Sequence, residues 1–108
     1  MANAPVPLGS KTVIVLAPAL ADIDEQLAYI ARTAGLDVAL GFADAIDRAL
    51  ANLAFFGHSG VSREWIRPGL RMSLLGDHCI YFRVTPTETR IVRFLRASRD
   101  LASLSFDD

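Results

Sequence analysis

The spacing of apolar residues changes period once along this 108-residue chain, and that change restricts the fold more than any other feature. From Leu20 to Leu53 the apolar positions recur every three or four residues. From Leu70 onward they recur every second residue. The first period belongs to an amphipathic helix and the second to a half-buried strand. Helices followed by consecutive strands predict an α+β domain, with a helical hairpin packed on a largely antiparallel sheet.

A β-branched run precedes the helices: Thr12 to Leu16 reads as a strand, closed by Pro18, which suits a helix's first turn. Leu20, Ile23, Leu27 and Ile30 then mark a helix that stops at Gly35, with Asp22, Asp24 and Glu25 in its early turns. Asp37 can cap a second helix, whose face is Ala39, Phe42, Ile46, Leu50 and Leu53. Gly41 inside it suggests a close approach to the first helix. The Gly- and Ser-rich stretch 57–69 reads as a loop. Three strands follow, "LRMSLLG", "HCIYFRV" and "RIVRFLR", the first two joined by a tight turn at Gly76-Asp77. Ser98 can cap a last short helical turn. The expected order is β-α-α-β-β-β, a four-stranded sheet in one domain over residues 12–108. Residues 1–11 read as a flexible extension.

The 52% hydrophobic content is that of a folded globular chain, and no apolar run is long enough for a membrane span. The start has no basic segment leading into a long apolar core, so it is not read as a secretory signal. Cys79 is the single cysteine; it allows no internal disulfide and fits a reducing cytoplasm. No Cys/His cluster has metal-ligand spacing, so neither a metal nor a cofactor is expected. His58 and Ser59 have no acidic partner at triad spacing.

The net charge of −1 conceals an asymmetry. Residues 1–56 carry three cations against six acids, whereas the eight arginines from Arg63 to Arg99 face only Glu64, Asp77 and Glu88. A basic stretch made wholly of arginine suits carboxylate or phosphate recognition. If Ile80, Phe82, Val84, Val92 and Phe94 face the helices, the opposite sheet face carries Tyr81, Arg83 and Arg93, with Ile91 and Leu95 beside them. Arg90 and Arg96 point opposite to Arg93, and Arg96 and Arg99 sit at the end of the patch. Apolar residues in that company imply that something covers the face. A solvated face with local pairs to Glu88 and Asp100 is the plainer alternative. Trp65 is either a satellite packing residue or an interface anchor, and Tyr29 on the first helix either packs at the helix–sheet edge or meets a partner. His78, opening a strand, reads as a partly buried hydrogen-bonding residue.

The segment "PGLRMSLLGDHCIYFRVTPTETRIVRFLRASRDL" resembles the C-terminal half of the ParE branch of the RelE/ParE toxins of type II toxin–antitoxin systems. The likeness falls on Gly69, Leu70, Arg71, Gly76, His78, Ile80 to Val84, Ile91 to Arg93, Leu95 and Arg99 to Leu101. The first helix is similar to the family's through Asp22, Ile23, Tyr29, Ile30 and Ala31. Ala39, Phe42 and Leu53 suit its second helix. Two departures are Arg96, where the family usually has histidine, and a loop without its usual proline.

This resemblance implies a toxin that binds DNA gyrase and is neutralised by a ParD-like antitoxin, with no cofactor, no catalytic group and no sequence-specific DNA contact of its own. The antitoxin or target would meet Tyr81, Arg83, Ile91, Arg93, Leu95, Arg96, Arg99, Tyr29 and Trp65. A RelE-like mRNA endoribonuclease is the alternative from another class. It would draw on Tyr81, Arg83, Arg93 and Arg96, with His78 a further candidate. Arginine is a poor base at neutral pH, however, and the end "SLSFDD" offers no histidine or tyrosine as an acid. A non-toxic antitoxin-binding remnant is a third reading.

Overall fold

The computed structural model describes residues 11–56 and 60–108. The expected extension lies outside them except for Lys11, and so do His58 and Ser59. The elements are β1 (Thr12–Val15), α1 (Ala17–Ala34), α2 (Leu36–Phe56), β2 (Val61–Ser62), β3 (Arg71–Leu75), β4 (His78–Val84) and β5 (Glu88–Arg96). The sheet order is β1-β5-β4-β3-β2, with β1 parallel to β5 and the other pairs antiparallel. This is the expected α+β architecture with one strand added. β2 is only two residues long, paired to Met72 and Arg71. Alternation needs about four residues to register, so a Gly- and Ser-rich stretch hides so short a strand.

α1 begins with Ala17 and Pro18 in its first turn and ends at Gly35. α2 starts at once, at Leu36, which places Asp37 inside the first turn rather than at the cap. The two helices therefore form a hairpin, and α1 lies along β5. The β3–β4 turn pairs Leu75 with His78. Gly76 there has φ 56° and Asp77 has negative φ, the pattern of a type II′ hairpin turn.

One irregularity changes the face assignment. Tyr81 pairs with Arg93 but Phe82 pairs with Ile91, so Val92 is an extra residue on β5, a β-bulge. Past the bulge the alternation is inverted. Ile91, expected outside, joins Ile80, Phe82, Phe94, Ile46 and Leu50 in the core beneath the helices. Val92, expected inside, lies on the opposite face with Leu70, Met72, Cys79, Tyr81 and Leu95. Arg90 pairs directly with Arg83 and shares its face. The expectation that Arg90 opposes Arg93 therefore fails, for the same reason.

The second core has a roof. Residues 97–108 turn back over it as two isolated turns, with Arg99 N bonded to Arg96 O and Leu104 N to Leu101 O. Asp100 rather than Ser98 supplies the side-chain cap, accepting from Ala102 N at 3.1 Å. Phe106 is buried in the cluster that holds Tyr81 and Val92, with Leu101 and Leu104 packed against it.

Candidate functional site

The arginines on the far face of the sheet come from three elements. β4 brings Arg83, β5 brings Arg90 and Arg93, and the loop between β2 and β3 brings Arg67. Gly69 enables this approach. Its φ is 80°, and a Cβ there would stand 3.2 Å from Arg83 Nε. Three of these four side chains converge on one carboxylate. Asp108 is met by Arg83 Nη1 at 2.6 Å, by Arg67 Nη2 at 3.0 Å and by Arg90 Nε at 3.6 Å. Arg90 Nη2 also donates to Asp108 O at 2.9 Å. Burial pushes the Asp108 carboxyl pKa up. The hydrogen bond from Arg83 and the charges of Arg83, Arg67 and Arg90 outweigh that and hold it below its ordinary value.

Phe106 stands two residues ahead of this carboxylate, edge-on to Tyr81 with ring centroids 5.0 Å apart. Tyr81 is only 5% exposed. Burial, followed by its Cys79 neighbour, raises the phenol's pKa. Arg93 has a different partner. Its Nε and Nη2 grip Asp22 of α1 at 2.7 and 2.8 Å, while Nη1 donates to Ser105 O. Asp22 Oδ2 also accepts from Phe94 N at 3.0 Å. The Asp22 hydrogen bond is the main cause that raises the Arg93 pKa.

The residues singled out from the sequence thus fall into two groups. Tyr81, Arg83, Arg93 and Leu95 lie under or against the returning segment, and Ile91 lies in the other core. Arg96, Arg99, Trp65 and Tyr29 are accessible. Arg96 and Arg99 line a cleft of about 250 Å³ with Asp22, Glu25 and Gln26 of α1. Tyr29 is one turn further along the same helix stripe. Arg99 also borders a second cleft of about 430 Å³, with Trp65 and Leu101. Trp65 is 76% exposed, so it is no packing residue. Among the described residues the Arg96 and Arg99 guanidinium groups have no hydrogen bond or ion pair.

A cleft of about 550 Å³ between α2 and β3 is lined by none of these residues. His78 is buried, 3.0 Å from Gln26 Oε1 and stacked on Phe94. Burial and the Arg96 charge lower its pKa. No group of three or more potential metal ligands occurs among the described residues, and no described helix is long and apolar enough to cross a membrane.

Sequence reasoning missed Arg67, Arg90, Phe106 and Asp108 as a constellation. The only available signal was an apolar-acidic end, "SLSFDD", after a run of arginines.

The family model of the ParE toxin of type II toxin-antitoxin systems, parDE, matches residues 13–101. No curated protein matches the chain. Among solved structures, a chain of a chromosomal ParDE TA system from P. aeruginosa has the same fold. Its TM-score is 0.71 at 24% identity, covering 82% of this chain and 97% of that one. The match runs from Val13 within β1 to Leu101 after β5 and takes in both helices, and on it the chain belongs to the ParE toxins of type II toxin–antitoxin systems.

Proposed function

We propose that the chain inhibits DNA gyrase by binding, and that a ParD-like antitoxin neutralises it by covering the accessible arginines. The carrying observation is the division of the arginines. Arg67, Arg83, Arg90 and Arg93 are engaged within the fold, whereas Arg96 and Arg99 line clefts beside Trp65 and α1. Unpaired guanidinium groups next to an exposed tryptophan suit an interface with an acidic, partly apolar protein segment. Folding of such a segment onto the clefts is a recurring mode for disordered partners.

The groups an RNA-cleaving site would use are poorly placed for that chemistry. Tyr81 is buried with a raised pKa, and Arg93 is locked to Asp22. A general base needs access to its proton and a pKa near the working pH.

The test uses purified protein in a gyrase supercoiling assay and in a ribosome-dependent mRNA cleavage assay. Inhibition of supercoiling, relieved by the product of an adjacent reading frame, is expected. Cleavage of mRNA with no effect on gyrase overturns the proposal. Silence in both assays with intact antitoxin binding identifies a non-toxic binding remnant.

A further inference from the structure

The family match ends at residue 101, before Phe106 and Asp108, so the segment that roofs the second core lies beyond the matched stretch. That segment carries no strand pairing. It is held by the Phe106 ring on Tyr81, by the Asp108 carboxylate among Arg83, Arg67 and Arg90, and by Arg93 and Arg90 donating to Ser105 and Asp108 carbonyls. The 2.7 Å pair between Arg67 and Asp107 is at the rim, with the Asp107 side chain 87% exposed. A segment held by side-chain hooks without a hydrogen-bond ladder can open locally while the sheet stays folded. Opening would bare an apolar floor of Tyr81, Met72 and Val92, ringed by Arg83 and Arg67, which would lose the Asp108 carboxylate, and by Arg90, which would keep Glu88 at 2.9 Å.

From this we infer that the face is a receptor for a short acidic segment with an aromatic residue two places ahead of a carboxylate. Residues 104–108 are its intramolecular occupant. The partner is an acidic segment of the antitoxin, which displaces them; this part rests on the antitoxin reading above. Occupancy in cis lowers the apparent affinity for the partner by the fraction of time the face is open. The proposal accounts for the burial of Tyr81 and for the engagement of Arg83 with Asp108. It also accounts for the likeness between the roof's chemistry and the acidic, apolar partner expected at the two clefts. Arg96 and Arg99 remain available for first contact.

The experiment uses a labelled, amidated peptide with the sequence of residues 102–108. The proteins are the full chain and its Phe106→Ala/Asp108→Asn variant, each checked for folding by circular dichroism. The peptide is expected to bind the variant at least about ten-fold more tightly than the parent. Binding should be lost with a peptide lacking the phenylalanine and in the triple variant that adds Arg83→Ala. Amide exchange on the unmodified chain supplies an independent reading, with residues 104–108 expected to exchange much faster than β4. Equal peptide affinity for both proteins, or exchange of the segment as slow as that of β4, overturns the inference. The antitoxin should compete with the peptide on the variant. If it binds both proteins equally and leaves the peptide in place, displacement is wrong while the antitoxin reading stands. If it binds neither, both fall.

Discussion

Gly41 sits on the exposed side of α2, and a Cβ built there meets nothing within 4 Å. The expected close approach to α1 is absent, so the residue only weakens the helix. Gly41→Ala is predicted to stabilise the fold by about 1 kcal/mol, raising the thermal midpoint by roughly 4–8 °C. Gly69 is the opposite case. Positive φ and the 3.2 Å approach to Arg83 make Gly69→Ala destabilising, by about 1–2 kcal/mol, and the denaturation midpoint should fall accordingly. His78 gives the fold a pH dependence. Its folded pKa lies below 6.5 because burial and then Arg96 disfavour the cation. The unfolded chain therefore takes up the proton first, and stability falls as pH drops below 6.5 towards the folded value. Thermal melts between about pH 7.5 and 5.5 should show this slope, and His78→Asn should flatten it. At this scale His78's partly buried character was readable from its place at the start of a strand. The environment of Gly41 was not, because a helical glycine has the same sequence signature whether it packs or faces solvent.

Among elements, α1 and β5 are tied by one nearly dry ion pair. Asp22 and Arg93 are 14% and 13% exposed, and Asp22 also holds a backbone N–H of β5. Removing one partner leaves the other charge desolvated. Asp22→Ala should cost about 3 kcal/mol or more, whereas Asp22→Leu/Arg93→Leu should cost less than the sum of its singles. Urea titrations of the four proteins measure the coupling; strict additivity would show the pair to be inert. The β-bulge at Val92 is the other decision made between elements. Reading "RIVRFLR" as a regular strand assigns Arg93, Phe94 and Leu95 to their correct faces and reverses Ile91 and Val92. A bulge is a property of how two strands pair, so no single strand's pattern announces it.

Across the whole molecule, two apolar layers are built on one sheet, one roofed by helices and one by residues 101–108. Four of the eight arginines from Arg63 to Arg99 are engaged with that second roof or with Asp22, and Arg96 and Arg99 stand beside the two clefts. Arg96→Glu/Arg99→Glu is predicted to weaken antitoxin binding at least about ten-fold and to flatten its salt dependence, with an unchanged thermal midpoint. Trp65→Ala should weaken binding on the scale of a hot spot, about 2 kcal/mol, again without loss of stability. Isothermal titration and melting curves on the same preparations separate the two effects. Were either variant to melt early while binding normally, these residues would belong to the fold rather than to an interface.

The sequence by itself determined the α+β class, the helix hairpin, the order of the long elements and the family. Each depends on local period, turn chemistry and motif order, which are properties of neighbours along the chain. Only the tertiary structure decided which sheet face each β5 residue occupies, that Asp22 belongs to Arg93, and that Phe106 and Asp108 close over the arginines. Those outcomes depend on pairings between separated positions, from 9 apart for Phe82 with Ile91 at the bulge to 71 apart for Arg93 with Asp22. At such separations burial and charge pairing choose the partner, and the order of residues carries no mark of the choice.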